Sequence, residues 1–544
     1  MASIPELFLD AATAGCTFVC DGTAFGAEDL AVQARRLANG LKGLGIEPGD
    51  RIAAWLPNIP QYLSLYAATA RLGAILVAVN TRFSAPEIAD IVGRSGATML
   101  VAVRAGDNLA TLSKIAADAM PALRHLILCG DDATSEAMGG PSWPAVKVCA
   151  FSTLCTSPPM EACIGGPDDI ANIFTTLGTT SLPKFAMHRQ SSVVGHAGDV
   201  ARTLDLRAGS DVSLQLLPFC GIFGFVQVMA AMAAGAKIIM PSAIDITEAV
   251  SLCVTERATH LFASDDLIHR MLEHDRADVP FPDLRYCMFA GFNSWLSDLP
   301  AHSEARSGPM LAPFGMSEVF ALFAARRLDQ DEAERQRAGG TLVSAGAAVR
   351  ARDPESGALL PDGEAGELEV KGPYMFAGYF GDDAATRQAM TDDGYLRTGD
   401  LGYSEPDNAS TYLQRMSDIL RLSGFLVAPA EIETAVVDHP SVRDAEVVAV
   451  ATPNGNRPVA RLWTRLRSSR MSAGGGRNSK HRSESFRLMH SPSPAAPMVL
   501  KFSVPNFETW PKRRCGKSPR RRYVETSTNR LAGSWMVTLL PSPG

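Results

Sequence analysis

A chain of 544 residues is too long for one hydrophobic core, so two or more domains are expected. Its 46% apolar and 20% charged residues are ordinary for a soluble globular enzyme. The ten cysteines form no C-x-x-C pair, which argues against a zinc site and a disulfide scaffold and for reduced thiols in a cytoplasmic protein. The net charge of −7 is uneven: from Arg461 onward lie 17 of the 51 Lys/Arg but 3 of the 58 Asp/Glu, an acidic body followed by a basic tail.

The first residues, Met1-Ala-Ser-Ile-Pro-Glu-Leu-Phe8, lack a basic region and carry an acid at Glu6, so they do not read as a secretory signal. Leu30, Leu37, Leu41 and Leu44 recur at helical spacing, and a helix is predicted over 25–44, stopped by Gly45 and Pro48-Gly49. Residues 50–56 have strand character, 59–72 read as a helix and 73–79 as a buried strand. Further strands are predicted at 97–103, 123–129 and 168–176. Strands alternating with helices imply an α/β fold, here a large N-terminal domain of layered, parallel-rich sheets flanked by helices. A helix is expected over 191–204. The apolar run 224–240 holds Gln227 and Lys237 and is broken by Gly235, so it reads as a buried helix leading into a strand and not as a transmembrane segment.

The strand ending at Phe174 runs into Thr-Thr-Leu-Gly-Thr-Thr-Ser-Leu-Pro-Lys184. Backbone N–H groups, rotatable hydroxyls and one ammonium can surround phosphate oxygens without bulky side chains intervening. This is not the G-x-x-x-x-G-K-[ST] loop, because Lys184 follows Pro183 and no hydroxyl follows it. Taken alone, the stretch is either a polyphosphate loop or a Thr-rich surface turn.

Downstream, Phe314-Gly-Met-Ser-Glu318, Thr398-Gly-Asp400, Arg415 and Gly424 follow in order. With these motifs the chain, from about residue 5 to about 458, resembles the adenylate-forming superfamily of acyl-CoA synthetases, luciferases and peptide-synthetase adenylation domains, most closely its bacterial acyl-CoA ligase branch. The resemblance implies ATP, Mg²⁺, coenzyme A and a small carboxylic acid as partners. It assigns Thr175, Thr176, Gly178, Thr179, Thr180 and Lys184 to the β- and γ-phosphates, and the backbone at Gly291 to adenine. Phe314, with Gly315 and Met316, falls near adenine, and Ser317 touches phosphate. Glu318 ligates Mg²⁺, a hard ion suited to one carboxylate plus phosphate oxygens and waters. Asp400 accepts the ribose hydroxyls, Arg415 also contacts the ribose, and Gly424 lets the pantetheine arm pass close to the backbone. Gly378 and Tyr379, in the family's G-Y-x-x-x-x-x-x-T setting ending at Thr386, are expected to shape the fold more than to do chemistry.

In the turn after Leu214, Cys220 stands where relatives commonly carry His. The Asp that holds an amino group in peptide-synthetase domains is absent there, which points to a plain carboxylic acid. Phe219, Ile222, Phe223 and Phe225 either line the acyl pocket or belong to the core.

The sequence also departs from the family pattern. Ser181 and Phe185 replace glycines of T-S-G-T-T-G-x-P-K-G. Where the loop needs positive φ, a side chain costs about 1 kcal/mol or more, so reduced nucleotide affinity is an expectation. Domains are placed at 1–414, 415–459 (the start of a small C-terminal α+β domain, with Ser417 at the hinge position and a helix from Pro429) and 460–544. Residues 461–497 are rich in Arg, Ser, Gly and Pro and lack either periodicity, so they are either a disordered basic tail or the product of a displaced reading frame. Lys517, in Pro511-Lys-Arg-Arg-Cys-Gly-Lys517, matches the spacing of the family's catalytic lysine or is one more charge in a basic run. Without interleaved aromatics or a recognisable module, the tail does not read as a nucleic-acid binder.

The expected function is an ATP-dependent acid:CoA ligase acting on a fatty or aromatic acid through an acyl-adenylate. The alternatives are a non-catalytic nucleotide- or acyl-binding homologue, or an adenylate-forming enzyme with another acceptor such as a carrier protein.

Overall fold

The computed structural model describes residues 2–130, 143–176, 182–291, 296, 299–416, 420–422, 425–427, 442–452, 455–464, 501–502 and 537–538. The chain divides into two compact units, Met1–Leu413 and Gln414–Gly544.

Three seven-stranded sheets build the first unit. One runs Lys147–Ala150, His125–Cys129, Met99–Val103, Arg51–Trp55, Ile75–Ala78, Ile170–Thr175, Phe185–Arg189. Its first six strands are parallel and only the last pair is antiparallel. Every residue of Ile75–Ala78 is buried, because helices cover both faces of such a sheet and its strands become unbroken apolar runs. Helix Pro60–Arg71 makes the crossover between Arg51–Trp55 and Ile75–Ala78, with proline at its first turn, where no N–H is needed.

A second sheet runs Met310–Leu311, Tyr286–Ala290, His260–Ser264, Val212–Leu214, Lys237–Ile239, Thr17–Cys20, Thr23–Gly26. The apolar run predicted to be helix and then strand forms helix Ile222–Ala234 and strand Lys237–Ile239, with Gly235 capping the helix at φ +70°. That helix is almost wholly apolar because residues 224–232 are all buried. The Phe225 ring there meets Tyr62, Tyr66, Phe174, Phe219 and Phe320 at centroid distances of 4.9–6.4 Å. Phe219 and Phe225 are fully buried and so belong to the core. Ile222 and Phe223 are only partly buried, and Phe223 packs on Phe262 at 5.0 Å.

The third sheet runs Ala324–Ala325, Gly339–Leu342, Ala409–Arg415, Leu396–Glu405, Gly366–Lys371, Ala348–Arg352, Leu359–Leu360. Buried Glu369 pairs there with both Arg350 and Arg352, which pins Gly366–Lys371 to Ala348–Arg352.

In the second unit, two hairpins are described: Leu420–Leu422 with Phe425–Val427, and Val442–Thr452 with Gly455–Thr464. Strand Gly455–Thr464 continues past Pro458, where the sequence pattern breaks down, and Lys501–Phe502 pairs with Val537–Thr538 further on. Ser417, Gly424, the helix expected from Pro429, Lys517 and residues 465–500 lie outside the described residues. Among the described residues no helix is long and apolar enough to cross a membrane.

Candidate active site

The Thr-rich loop joins the antiparallel pair Ile170–Thr175 and Phe185–Arg189. The Thr176 N–H donates to the Lys184 carbonyl at 2.8 Å and closes the base of the loop, with Thr175 and Thr176 half-buried. Gly178, Thr179, Thr180 and Ser181 lie outside the described residues. Phe185, where the family has glycine, opposes Thr175 in the ladder and does not have positive φ. Its ring is buried under the Arg94 guanidinium, which lies 4.3 Å from its centroid. The cost expected for a side chain in a left-handed conformation is therefore not incurred at this position.

Lys184 is exposed, and its ammonium stands 4.8 Å from the centre of the Tyr379 ring. The Tyr379 phenol in turn donates to Oε1 of Glu318 at 2.6 Å, a short charge-assisted bond between buried groups. The structure thus gathers three residues far apart in sequence: a cation, a ring and a carboxylate.

Glu318 is held by a tight turn. The Phe314 N–H donates to Ala324 O at 2.9 Å and the Ala321 N–H to Met316 O at 3.0 Å, folding the segment back on itself. Phe320 and Ala321 take φ of +56° and +73°, two successive non-glycine residues in the left-handed region. Each costs roughly 1–2 kcal/mol, the kind of local strain that collects at functional sites. The Phe376 N–H fixes the Glu318 carbonyl at 2.7 Å.

His188, on the strand that leaves Lys184, fixes the carbonyl of Ser317 through Nε2 at 2.8 Å. A carbonyl only accepts, so Nε2 carries the proton. Burial pushes the His188 pKa down to about 3 and that of His196 to about 4, so both rings are neutral at pH 7. The Phe320 ring meets both imidazoles edge-on, at 5.1 and 5.8 Å.

Phe314 is 4% exposed and stacks on Tyr412 at 5.6 Å, while Gly315 is exposed and Met316 and Ser317 are half-buried. The Phe314 ring therefore spends one face on the protein. Tyr412 lies on Ala409–Arg415, the neighbour of the strand carrying Thr398-Gly-Asp400. Thr398 Oγ1 donates to Leu368 O at 2.7 Å and accepts from the Asp400 N–H at 3.0 Å, and Asp400 is buried. Arg415, half-buried, ends its strand and falls within the second unit. Gly291 stands exposed at the end of Tyr286–Ala290 with open space where a side chain would project. The structure brings Lys184 and Glu318 together and links Phe314 to the third sheet, whereas Gly291 ends a strand of the second sheet.

No group of three or more His, Cys, Asp or Glu among the described residues could hold a metal. Glu318 nevertheless suits a magnesium ion shared with phosphate. Its Oε1 is occupied by the phenol, and Oε2 has no hydrogen bond among the described residues.

A model of the family described as AMP-binding enzyme matches residues 12–380. The chain belongs to the AMP-binding enzyme family. Among curated relatives of this AMP-binding enzyme, triostin synthetase I of Streptomyces triostinicus is 30% identical over 82% of this chain and 81% of its own length. 4-Coumarate--CoA ligase 5 of Oryza sativa subsp. japonica is 27% identical, over 79% and 78%. Long-chain-fatty-acid--CoA ligase FadD13 of Mycobacterium tuberculosis is 28% identical, over 77% and 78%. The fold matches ATP-bound MatB from Rhodopseudomonas palustris with a TM-score of 0.72 at 24% identity, over 86% of this chain and 90% of that one. It also matches the anthranilate CoA ligase AuaEII in complex with anthranoyl-AMP, with a TM-score of 0.72 at 19% identity, over 86% and 88%.

Two residues outside the assigned site set contact the candidate site residues. Tyr379, expected to shape the fold, also donates its phenol O–H to Glu318. His188, which belongs to no motif, lies four residues after Lys184 on the same side of the strand as Ala186.

Proposed function

We propose that this chain is an ATP-dependent carboxylic acid:CoA ligase acting on a fatty or aromatic acid. The contact chain Lys184–Tyr379–Glu318 at the base of the Thr-rich loop carries this reading, because it sets a cation beside a carboxylate where a triphosphate would lie. A carboxylate oxygen of the acid attacks the α-phosphorus, the bond to the β-phosphate oxygen breaks, and pyrophosphate leaves. The thiol sulfur of coenzyme A then attacks the acyl carbonyl, its proton passes to solvent, the bond from the carbonyl carbon to the phosphate oxygen breaks and AMP leaves.

Charge builds on the phosphoryl oxygens during the first step, so catalysis rests on positioning and on fixed cations and N–H donors. Lys184 and Thr175–Thr176 hold the β- and γ-phosphates, Ser317 contacts phosphate and Asp400 holds the ribose. Glu318 holds magnesium, which when bound neutralises charge on the phosphate oxygens. Gly315 and Met316, more open than Phe314, offer a surface to adenine. Gly178, Thr179, Thr180, Arg415, Gly424 and Lys517 keep the roles that their motif positions imply.

The supporting relatives include a 4-coumarate--CoA ligase and a long-chain-fatty-acid--CoA ligase. A second reading, in which the acyl group passes to an acceptor other than coenzyme A, draws on the 30% identity to triostin synthetase I. The test is pyrophosphate release by the purified chain across a panel of fatty and aryl acids, followed by product analysis with coenzyme A. Release that requires both ATP and acid, with thioester formed, is expected. Release without thioester would favour the second reading, and ADP as product or no release with any acid would overturn both.

A further inference from the structure

We infer that Tyr379 is a positioning residue that sets the spacing between the Lys184 ammonium and the Glu318 carboxylate, and so tunes the site for magnesium-bound ATP. The inference rests on the proposed roles of those two residues.

The backbone around Tyr379 is fixed from both sides. Phe380 N–H donates to Phe185 O at 2.8 Å and Met187 N–H to Gly378 O at 3.0 Å, so 378–380 adds itself to the strand that begins just after Lys184. On the other side, Phe376 N–H holds the Glu318 carbonyl. Gly378 has φ +120°, a conformation closed to other residues, and delivers the next side chain inward. Tyr379 N–H is anchored on Thr386 Oγ1 at 2.9 Å, and its ring packs edge-on against Phe376 at 4.9 Å. The residue therefore has little freedom and touches both functional groups from a fixed position.

The two contacts use different parts of the side chain. The phenol O–H holds Oε1 of Glu318 and so fixes the direction in which Oε2 points. The ring face attracts the ammonium through its quadrupole. A buried phenol with a purely structural role needs only some acceptor. Here the acceptor is the carboxylate proposed to hold the metal, so losing the O–H frees that carboxylate to rotate.

Calorimetric ATP binding to the full chain, with magnesium and in its absence with chelator, separates the two contacts without relying on turnover. Tyr379→Phe keeps the ring and removes the O–H. It is expected to weaken ATP binding with magnesium by about tenfold, the scale of a hydrogen bond to a charged group, and to leave metal-free binding unchanged. Tyr379→Leu is expected to weaken metal-free binding as well, but by less than Lys184→Ala does, because the ammonium is kept and only its ring contact is lost. In a Glu318→Gln background, Tyr379→Phe should have no further magnesium-specific effect. Equal weakening by Tyr379→Phe with and without magnesium, or none at all, would overturn the inference while leaving the proposed ligase reading intact. Wild-type chain that binds no ATP under either condition would overturn both.

Discussion

Replacing Gly315 by alanine tests how closely the Glu318 turn is built. A methyl added there would fall on the Ala321 carbonyl oxygen, and would stand 2.5 Å from the carbonyl carbon and 3.2 Å from the Leu322 nitrogen. These are backbone atoms, so no side-chain rotation relieves the clash, and the strand of chain at 321 must move by about 2 Å to regain ordinary contact. That movement breaks the Ala321–Met316 bond and strains the paired bonds between Phe314 and 323–324. Two or three backbone bonds at about 1 kcal/mol each give a loss of about 2–3 kcal/mol. Because Glu318 rides on the same turn, a misplacement of about 1 Å should lower adenylation by about a hundredfold. Urea unfolding with pyrophosphate release measures both effects. Gly198→Ala, at a helical position with open space, serves as the control and should gain up to about 1 kcal/mol. Wild-type unfolding midpoint and wild-type turnover in Gly315→Ala would refute the reasoning.

His188 and His196 are held neutral by burial, with pKa values near 3 and 4 in the folded chain against about 6.5 when unfolded. The unfolded state thus binds more protons below pH 6.5, so stability is full above that pH and falls as pH drops toward 4. Urea unfolding at pH 7 and pH 5 should differ by about 2–4 kcal/mol, and equal stability at the two would contradict neutral burial. Phe185→Gly, which restores the family's glycine, should destabilise the chain by about 3 kcal/mol or more through loss of the buried ring. Calorimetry should find no gain in ATP affinity, and a gain would mean that the side chain does hamper the loop. Glu369→Gln leaves partly exposed Arg352 facing a neutral group, while Arg350 keeps Asp393, and should cost about 2 kcal/mol by urea unfolding; an unchanged midpoint would argue against that pairing.

The alternation of buried strands and helices was readable because Ile75–Ala78 and Met99–Val103 are covered on both faces and leave unbroken apolar runs. The segment 314–318 was readable for a different reason: chemistry there depends on residue types in one short stretch. Neither condition holds for Tyr379. Its partner Glu318 is 61 residues away, and the contact exists only because 378–380 joins the edge of another sheet. Phe185 misled for a related reason, since a glycine pattern suggested loop conformation where this chain continues the ladder into a strand. Phe219 and Phe225 could not be assigned between pocket and core from spacing, because the aromatic cluster that buries them is drawn from five separate elements.

The most direct measurement uses an acid labelled with ¹⁸O in its carboxylate, incubated with the enzyme, ATP, magnesium and coenzyme A. Attack of that carboxylate on the α-phosphorus leaves one labelled oxygen in the AMP formed, and this is the expected result. Label absent from AMP, or found instead in inorganic phosphate alongside ADP, would contradict it.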